Sequence, residues 1–375
     1  MSIFSKLTGQ PPIGLDIGSS AIKVVQLVAG RQGIILSKAG SVPTPPEAVK
    51  GGVVVDHLAV AQAIRSLLSA LQIEATAAVG GVTGPTVVVR QVQLPSMSER
   101  QLRKSISWEA RNYISFPVED SVLECQVIDG TGSQMDVMLV AAPRDMVDSQ
   151  VETIELAGLE PVAVEIQPFA VMRSLCGGNG TSDGPETVAL MGIGAAYTDI
   201  TIVKDGGFVL SRIIPIASNG FTETIRSALD TDMEQANQLK ETAMKVVVSE
   251  EERATLDPAA QQASRAVEPL LDELVREVRR SLAYHDFQQK LPESAATVGV
   301  NRIILSGGGA KLDNISTYLQ AQLGIPVTLA ELFGEGRLQT RGMNPEFLRK
   351  YAPTLVVGVG LALRELMPSV RRTRK

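Results

Sequence analysis

The feature that most constrains the fold is an internal repeat, because two distant stretches align without a gap when Asp16 is placed on Gly192. The same alignment pairs these further residues: Ile17 with Ile193, Gly18 with Gly194, and Gly30 with Gly206. Both stretches read as strand, glycine turn, strand, turn and strand. The sequence therefore predicts two similar halves, each with a glycine turn whose backbone N–H groups can approach the oxygens of a polyphosphate.

The composition favours an α/β fold. The chain has 375 residues, enough for two or more compact units. Hydrophobic residues make up 44% of it and aromatic residues only 4%, so the core is mostly aliphatic, which suits strands covered by helices. The formal net charge of −6 argues against nucleic acid as a partner, because phosphate contacts need a basic face.

Cysteine use and hydropathy predict a cytoplasmic protein. The two cysteines, Cys125 and Cys176, have no metal-ligand spacing and indicate a reducing compartment. No signal-peptide pattern is present, and the longest apolar run, 355–363, is about half of the ~18 residues of a membrane span. The basic tail 371–375 is interpreted as a solvated end or as weakly attracted to an anionic membrane face.

Local patterns predict a helix in the first half and a small insert after it. Apolar spacing predicts a helix over 58–71 with one buried face: Leu58, Ala61, Ile64, Leu68 and Leu71. A capping box of Ser98 and Gln101 begins a second helix, whose apolar stripe includes Leu102, Ile106 and Ala110. Strands at 122–128 and 136–142 follow as a hairpin. Residues 94–165 are therefore expected to form an α+β insert.

Several other nucleotide and metal sites are disfavoured. Gly192 and Gly194 make half of a dinucleotide-binding fingerprint, but Tyr197 stands where the third glycine is needed. No G-x-x-x-x-G-K-[ST] segment is present in the sequence. The only histidines are His57 and His285, which argues against a histidine metal cage or a catalytic triad.

Gly14-Leu15-Asp16-Ile17-Gly18-Ser19-Ser20-Ala21-Ile22-Lys23 resembles the first phosphate loop of the actin, Hsp70 and sugar-kinase superfamily. Over nearly its whole length the chain resembles the family of type IV pilus assembly protein PilM and, more distantly, the cell-division protein FtsA. Further motifs carry this resemblance: Leu94-Pro95-Ser96-Met97-Ser98-Glu99, Trp108-Glu109-Ala110, Tyr113-Ile114-Ser115-Phe116-Pro117, Ala141-Ala142-Pro143-Arg144 and Gly358-Val359-Gly360-Leu361-Ala362-Leu363-Arg364. It implies a two-lobed actin-like fold of the duplicated ribonuclease H type, with a small α+β insert.

The resemblance also implies that ATP binds with Mg²⁺ between the two lobes. Asp16 corresponds to the acid that orients hydrated Mg²⁺, and Gly18, Ser19 and Ser20 correspond to the turn around the phosphates. Lys23 corresponds to a lysine that meets phosphate oxygens as a point charge. Without the resemblance, an ordinary D-x-G turn followed by a solvated lysine on a strand is the favoured interpretation of this loop.

The second glycine turn departs from the family pattern. Gly194 and Thr198 match it, but Gly192 stands where the family usually has Asp. Asp199 is nearby and is interpreted as out of position, because successive strand residues point to opposite faces. The missing acid normally helps position water, so the sequence predicts weak ATPase activity or none, and leaves open whether the protein is an enzyme.

The adenosine side of the implied site is also mixed. The resemblance places Lys240 beside the base and ribose, while Asn237 stands where Glu is usual. Gly307, Gly308 and Gly309 follow a strand and resemble the turn on which adenosine lies. A tight strand-to-helix turn with no ligand explains three glycines as well.

The expected organisation has five segments: a first lobe at 1–93, the insert at 94–165, a return and hinge loop at 166–184, a second lobe at 185–350, and a closing helix with the basic tail at 351–375.

The resemblance implies a cytoplasmic adaptor at the inner face of the inner membrane. Its implied partners are other pilus assembly components and the tail of a PilN-like membrane protein, bound between the first lobe and the insert. Two alternatives stay open, an active ATPase or sugar kinase and a nucleotide-free scaffold.

Overall fold

The computed structural model describes residues 10–31, 33–130, 132–177, 186–288, 299–334, 338–340 and 344–367. Most of the expected hinge loop and the basic tail lie outside the described residues. The chain forms two compact units. Unit 1 comprises Met1–Ser174, Leu338–Gly342 and Val357–Lys375, and unit 2 comprises Leu175–Arg337 and Met343–Val356.

The described part of unit 1 begins with five strands, and in unit 2 four successive helices lie between the third and fourth strands. The strands are β1 (Ile13–Ile17), β2 (Ala21–Gly30), β3 (Gly33–Pro43), β4 (Val49–Lys50), β5 (Val53–Val54), β6 (Ala77–Val82), β7 (Val88–Pro95), β8 (Ser121–Asp129), β9 (Gln134–Pro143), β10 (Glu160–Ile166), β11 (Thr187–Ile193), β12 (Thr198–Lys204), β13 (Gly207–Ile214), β14 (Arg302–Ser306), β15 (Val327–Leu329) and β16 (Gln339–Thr340). The helices are α1 (His57–Ala70), α2 (Glu99–Ala110), α3 (Arg144–Leu156), α4 (Gln167–Cys176), α5 (Ser218–Leu229), α6 (Met233–Thr242), α7 (Glu250–Arg253), α8 (Pro258–Gln288), α9 (Ile315–Leu323) and α10 (Pro345–Leu363).

The main sheet of unit 1 combines an antiparallel meander with parallel strands. Its order is β10-β6-β1-β2-β3-β16. The strands β1, β2 and β3 are joined by tight turns and pair antiparallel, whereas β6 pairs parallel with β1, and β10 pairs parallel with β6. One face of this sheet packs on α1 and α3 through a core that includes Leu15, Ile64 and Ile154.

The sheet of unit 2 repeats this topology. Its order is β13-β12-β11-β14-β15, in which β11, β12 and β13 form the antiparallel meander. The strands β14 and β15 then add in parallel to β11, as β6 and β10 add to β1. Alternate residues of β11 and β12, including Met191 and Ile200, enter a core with Phe221 of α5 and Leu274 of α8. The repeat predicted from the sequence is therefore a repeat of sheet topology.

A separate three-stranded antiparallel sheet in the order β7-β9-β8 occupies much of the stretch 94–165 that was expected as an insert. Its first strand, β7, begins earlier, at Val88, and β10 at the end of that stretch belongs to the main sheet of unit 1. The helix α2 covers one face of the three-stranded sheet, and the predicted stripe of Leu102, Ile106 and Ala110 is buried there. The capping box is also confirmed, because the side chain and backbone of Ser98 and Gln101 bond reciprocally.

The C-terminal part of α10, which belongs to unit 1, lies directly on β1 without an intervening layer of side chains. A Cβ atom on Gly14 would overlap the carbonyl oxygen of Gly358. In the same way, a Cβ atom on Gly360 would overlap the carbonyl oxygen of Ala170 on α4. Glycine at these positions thus allows the backbones to approach each other closely.

Candidate functional site

The turn between β1 and β2 is held by backbone bonds and by one threonine. The Gly18 N–H donates to the carbonyl oxygen of Ala21 at 3.1 Å, which closes the turn. Thr44, just after β3, bonds the turn twice: its N–H donates to Ser20 O at 3.0 Å and its Oγ1 donates to Gly18 O at 2.7 Å. These contacts fix Gly18, Ser19 and Ser20, and Ser20 is exposed.

Asp16 ends up buried with both carboxylate oxygens bonded. It is 5% exposed and lies opposite Lys23 in the register of β1 and β2. Lys23 Nζ lies 3.0 Å from Oδ2, and Gln167 Nε2 donates to Oδ1 at 3.3 Å. A buried charge needs such partners, so this acid is preorganised by an ion pair and by the first residue of α4.

The donor set around Asp16 fits Mg²⁺ held through water better than Mg²⁺ held directly. Within the residues that the structure describes, no cluster of three or more His, Cys, Asp or Glu side chains could cage a metal ion. Mg²⁺ usually keeps several waters and takes few protein ligands. A fixed, buried carboxylate such as Asp16 can accept hydrogen bonds from those waters.

The equivalent turn in unit 2 is built in the same way but is supported by a helix. The Gly194 N–H donates to Tyr197 O at 2.9 Å, and the N–H groups of Ser218 and Asn219, at the start of α5, donate to Gly194 O and Ala195 O at 3.1 and 2.9 Å. Thr198 is fully buried, and its Oγ1 donates to Ile216 O at 2.6 Å. Its hydroxyl therefore holds the turn in place.

The structure corrects the interpretation of Asp199 as out of position. Gly192 and Asp199 are directly opposite each other in the register of β11 and β12, so their side-chain directions lie on the same face. The Asp199 carboxylate covers Gly192: its Cγ lies 3.0 Å and its Oδ1 3.2 Å from the point where a Cβ at 192 would be. Neighbouring residues of one strand do point to opposite faces, but the pairing of β11 with β12 places Asp199 beside Gly192.

The three glycines after β14 have different environments. Gly307 has a φ of +87°, and Cβ atoms on Gly307 or Gly309 would overlap Ile193 at the end of β11. Gly308 is exposed, and a Cβ there would meet no atom within 4 Å. Packing on Ile193 accounts for two of the glycines, and only Gly308 presents open backbone on which a ligand could lie.

Lys240 is buried among neutral oxygens. It is 7% exposed, and its Nζ bonds Ser218 Oγ at 2.9 Å, Thr222 Oγ1 at 2.6 Å and Ser218 O at 3.5 Å. Burial lowers the pKa of Lys240, and nearby Glu241 opposes this effect. Asn237, one turn earlier, donates to Glu241 at 3.1 Å. In this arrangement Lys240 braces α6 against the first turn of α5.

The predicted residues gather into one cluster in each unit. In unit 1 they are the residues of the first hairpin: Asp16, Gly18, Ser19, Ser20 and Lys23. In unit 2 a chain of contacts runs from Lys240 through Ser218 to Gly194, and Gly307 and Gly309 pack on the adjoining Ile193. Sequence reasoning missed Thr44, Gln167 and the orientation of Asp199. For Asp199 the internal repeat offered a signal, because it aligns Asp199 with Lys23.

The five strands of the unit 2 sheet repeat the order of β10-β6-β1-β2-β3 in unit 1, and each sheet has a glycine turn after its first strand. This repeated topology defines the class of duplicated actin-like α/β proteins. This is the fold class that the sequence predicted. The sequence profile of the family described as "Type IV pilus assembly protein PilM" matches residues 14–366. The chain therefore belongs to the PilM family of type IV pilus assembly proteins.

Similar proteins fit this placement. A solved structure described as "PilM-PilN type IV pilus biogenesis complex" contains a chain 27% identical, with a TM-score of 0.81, covering 96% of this chain and 99% of the other. The cell division protein FtsA of Pseudomonas aeruginosa is 26% identical, covering 90% of this chain and 87% of FtsA. FtsA of Streptococcus pneumoniae is 25% identical, covering 84% and 74%.

A more distant neighbour supports the fold alone. The ethanolamine utilization protein EutJ of Carboxydothermus hydrogenoformans is 17% identical, with a TM-score of 0.54, covering 94% of this chain and 89% of EutJ. Among the described helices, none has the length and apolar character needed to cross a bilayer.

Proposed function

We propose that this protein is a cytoplasmic, nucleotide-binding adaptor at the inner face of the inner membrane, in the inner-membrane complex that assembles type IV pili. One observation carries the proposal, the family match over 14–366, and similarity at a TM-score of 0.81 to a chain from a PilM–PilN complex supports it. The absence of an 18-residue apolar helix among the described residues is consistent with attachment to the membrane through partners.

The proposed partner is the short cytoplasmic tail of a PilN-like membrane protein, with other pilus assembly components around it. An extended peptide can bind by adding to the edge of a sheet or by lying in a groove. In the insert, β7 and β8 flank β9 and form the two edges of the three-stranded sheet. Tail binding in the region of the insert and the adjoining part of unit 1 is therefore the arrangement that we propose.

The proposed ligand is ATP with Mg²⁺. In unit 1, the turn of Gly18, Ser19 and Ser20 and the ammonium of Lys23 would bind phosphate oxygens, and Asp16 would accept hydrogen bonds from water on Mg²⁺. In unit 2, the turn at Gly194 and the open backbone at Gly308 are the proposed contacts, with Thr198, Gly307, Gly309 and Lys240 supporting them. The metal ion would neutralise phosphate charge when bound.

Nucleotide is proposed to act as a regulator of tail binding. A ligand that favours one conformation changes the affinity of a second ligand by the same factor that the second changes the first. We therefore expect the tail to bind the Mg²⁺-ATP form and the nucleotide-free form with different affinities.

Isothermal calorimetry with the full chain and a synthetic PilN-like tail, with and without Mg²⁺-ATP, tests this function. The expected result is saturable binding of the tail, with an affinity that depends on nucleotide, and no binding of a scrambled tail. Lys23→Ala should weaken ATP binding, whereas Lys50→Ala, on an exposed lysine of β4, should not. A tail that fails to bind in both states would refute the adaptor function.

ATP hydrolysis is the second candidate, and the carboxylate of Asp199 beside Gly192 favours it. Steady-state phosphate release with Mg²⁺-ATP separates the two. Turnover well above ~0.1 s⁻¹ that is lost in Asp16→Ala would indicate an enzyme, since enzymes typically turn over at about 1–10³ s⁻¹. Slower release with intact binding would indicate a regulatory nucleotide.

A further inference from the structure

We propose that Asp199 supplies the carboxylate of the second phosphate turn, in place of the acid that is absent at Gly192. This inference rests on the proposed binding of Mg²⁺-ATP and adds a residue to that site. It assigns Asp199 a positioning role toward water bound to Mg²⁺.

The first argument is the direction of the side chain. Asp199 projects from the face of the sheet opposite to Ile200, which is buried in the core of unit 2. Its carboxylate lies across the strand boundary above Gly192, with the Cγ only 3.0 Å from the position of a Cβ at 192. The carboxylate of Asp199, on β12, thus occupies the space that the first atoms of a side chain at position 192, on β11, would take.

The second argument is that glycine at 192 is a condition for this placement. A Cβ at 192 would overlap Asp199 Oδ2 and would leave its Oδ1 at 3.2 Å. The two positions therefore cannot both carry side chains in this conformation. Glycine at 192 and aspartate at 199 are best understood as one arrangement that carries a single carboxylate.

The third argument is the location next to the other proposed contacts of unit 2. Gly192 lies beside Asp199 on one side and beside Ser306 on the other, because β11 pairs with both β12 and β14. Gly307, Gly308 and Gly309 follow Ser306 directly. The half-buried Asp199 carboxylate therefore lies near the carboxyl ends of two adjacent parallel strands, where α/β sheets bind their ligands.

The chemistry of a carboxylate at this place depends on the metal. With Mg²⁺, it accepts hydrogen bonds from metal-bound water and favours binding, and a charge-assisted bond of this kind corresponds to roughly tenfold in affinity. Without Mg²⁺, its charge repels the polyphosphate. Removal of the charge should therefore weaken Mg²⁺-ATP binding and leave metal-free ATP binding unchanged or tighter.

The test measures the dissociation constant of a fluorescent ATP analogue with Mg²⁺ and with EDTA, on the full chain. The readout is the ratio of the two constants, which is insensitive to a general loss of folded protein. In Asp199→Asn, we expect Mg²⁺ to enhance affinity about tenfold less than in the wild type. The matched control is Glu273→Gln, which removes one exposed negative charge of α8 in the same unit and should leave the ratio unchanged.

Two further variants separate charge from position. Gly192→Ala keeps the carboxylate in the chain but displaces it, and should lower the ratio as Asp199→Asn does. The double variant Gly192→Asp with Asp199→Ala returns the carboxylate from the other strand and should restore the ratio. A wild-type ratio in Asp199→Asn would overturn this inference alone, whereas a wild type that binds ATP in neither condition would overturn the proposed nucleotide binding and this assignment with it.

Discussion

The two hairpins share one backbone design and differ in their charged pairs. In unit 1 the facing residues are Asp16 and Lys23, an acid with a base; in unit 2 they are Gly192 and Asp199, a glycine with an acid. The closing bonds are the same, from Gly18 to Ala21 and from Gly194 to Tyr197. A duplicated turn can thus keep its geometry while its carboxylate lies on a different strand.

The largest expected loss of stability is in the hairpin of unit 1, where Lys23 pairs with Asp16. Lys23→Met removes the cation beside a buried acid, and an uncompensated buried charge costs about 3 kcal/mol in the free energy of unfolding. Urea denaturation measures this loss. The control is Lys50→Met, whose pair with Glu47 is exposed, with 59% and 84% of the side chains accessible, and should cost less than about 0.5 kcal/mol. Equal losses would mean that the pair in the first hairpin is not important for stability.

A smaller loss of stability is expected where Ile193, in the second hairpin, packs on the glycines that follow β14. Gly309→Ala places a Cβ against Ile193 and should lower the free energy of unfolding by about 2 kcal/mol. Gly308→Ala enters open space and should change it by less than about 0.5 kcal/mol, while weakening ATP binding if adenosine lies there. Thermal unfolding and nucleotide titration of both variants check this. Similar destabilisation by both would contradict the assignment of Gly308 to the ligand surface.

The smallest effect is expected for Lys240, because its ammonium faces only neutral oxygens. The ammonium of Lys23, by contrast, faces a carboxylate. Burial lowers the pKa of Lys240 from its ordinary value of 10.5, so the unfolded chain binds this proton more tightly. Stability contributed by Lys240 should therefore rise as the pH increases through the lowered pKa towards 10.5. The difference in unfolding free energy between wild type and Lys240→Met should shift in favour of the wild type over that range. A constant difference would argue against burial of the ammonium.

Sequence reasoning succeeded where the signal was local or repeated. The capping box at Ser98 and Gln101 needs only two side chains three residues apart, and it is present as predicted. The two meanders were predicted because tight turns keep paired strands adjacent in the sequence. The residues of the first hairpin that are predicted to bind nucleotide come from the same short stretch, and their role stays a prediction.

The sequence alone did not predict features that depend on contacts between distant parts of the chain. The strand β6 contains Gly80 and Gly81, which lack the β-branched pattern of a strand; they leave room for Ile154 and Leu361 against the sheet. Leu58, expected on the buried face of α1, is 68% exposed, because it lies in the first turn of the helix. The position of Asp199 required the register of β11 and β12, which neighbouring residues alone do not determine.

The contact between α10 and β1 has a mechanical consequence. Backbone meets backbone at Gly14 and Gly358, so no side-chain rotation is available there to absorb a displacement of the helix. Asp16 is two residues further along the same strand. A shift of the C-terminal half of α10 would therefore displace this carboxylate as well. In the same way, a displacement of the carboxylate would move the helix.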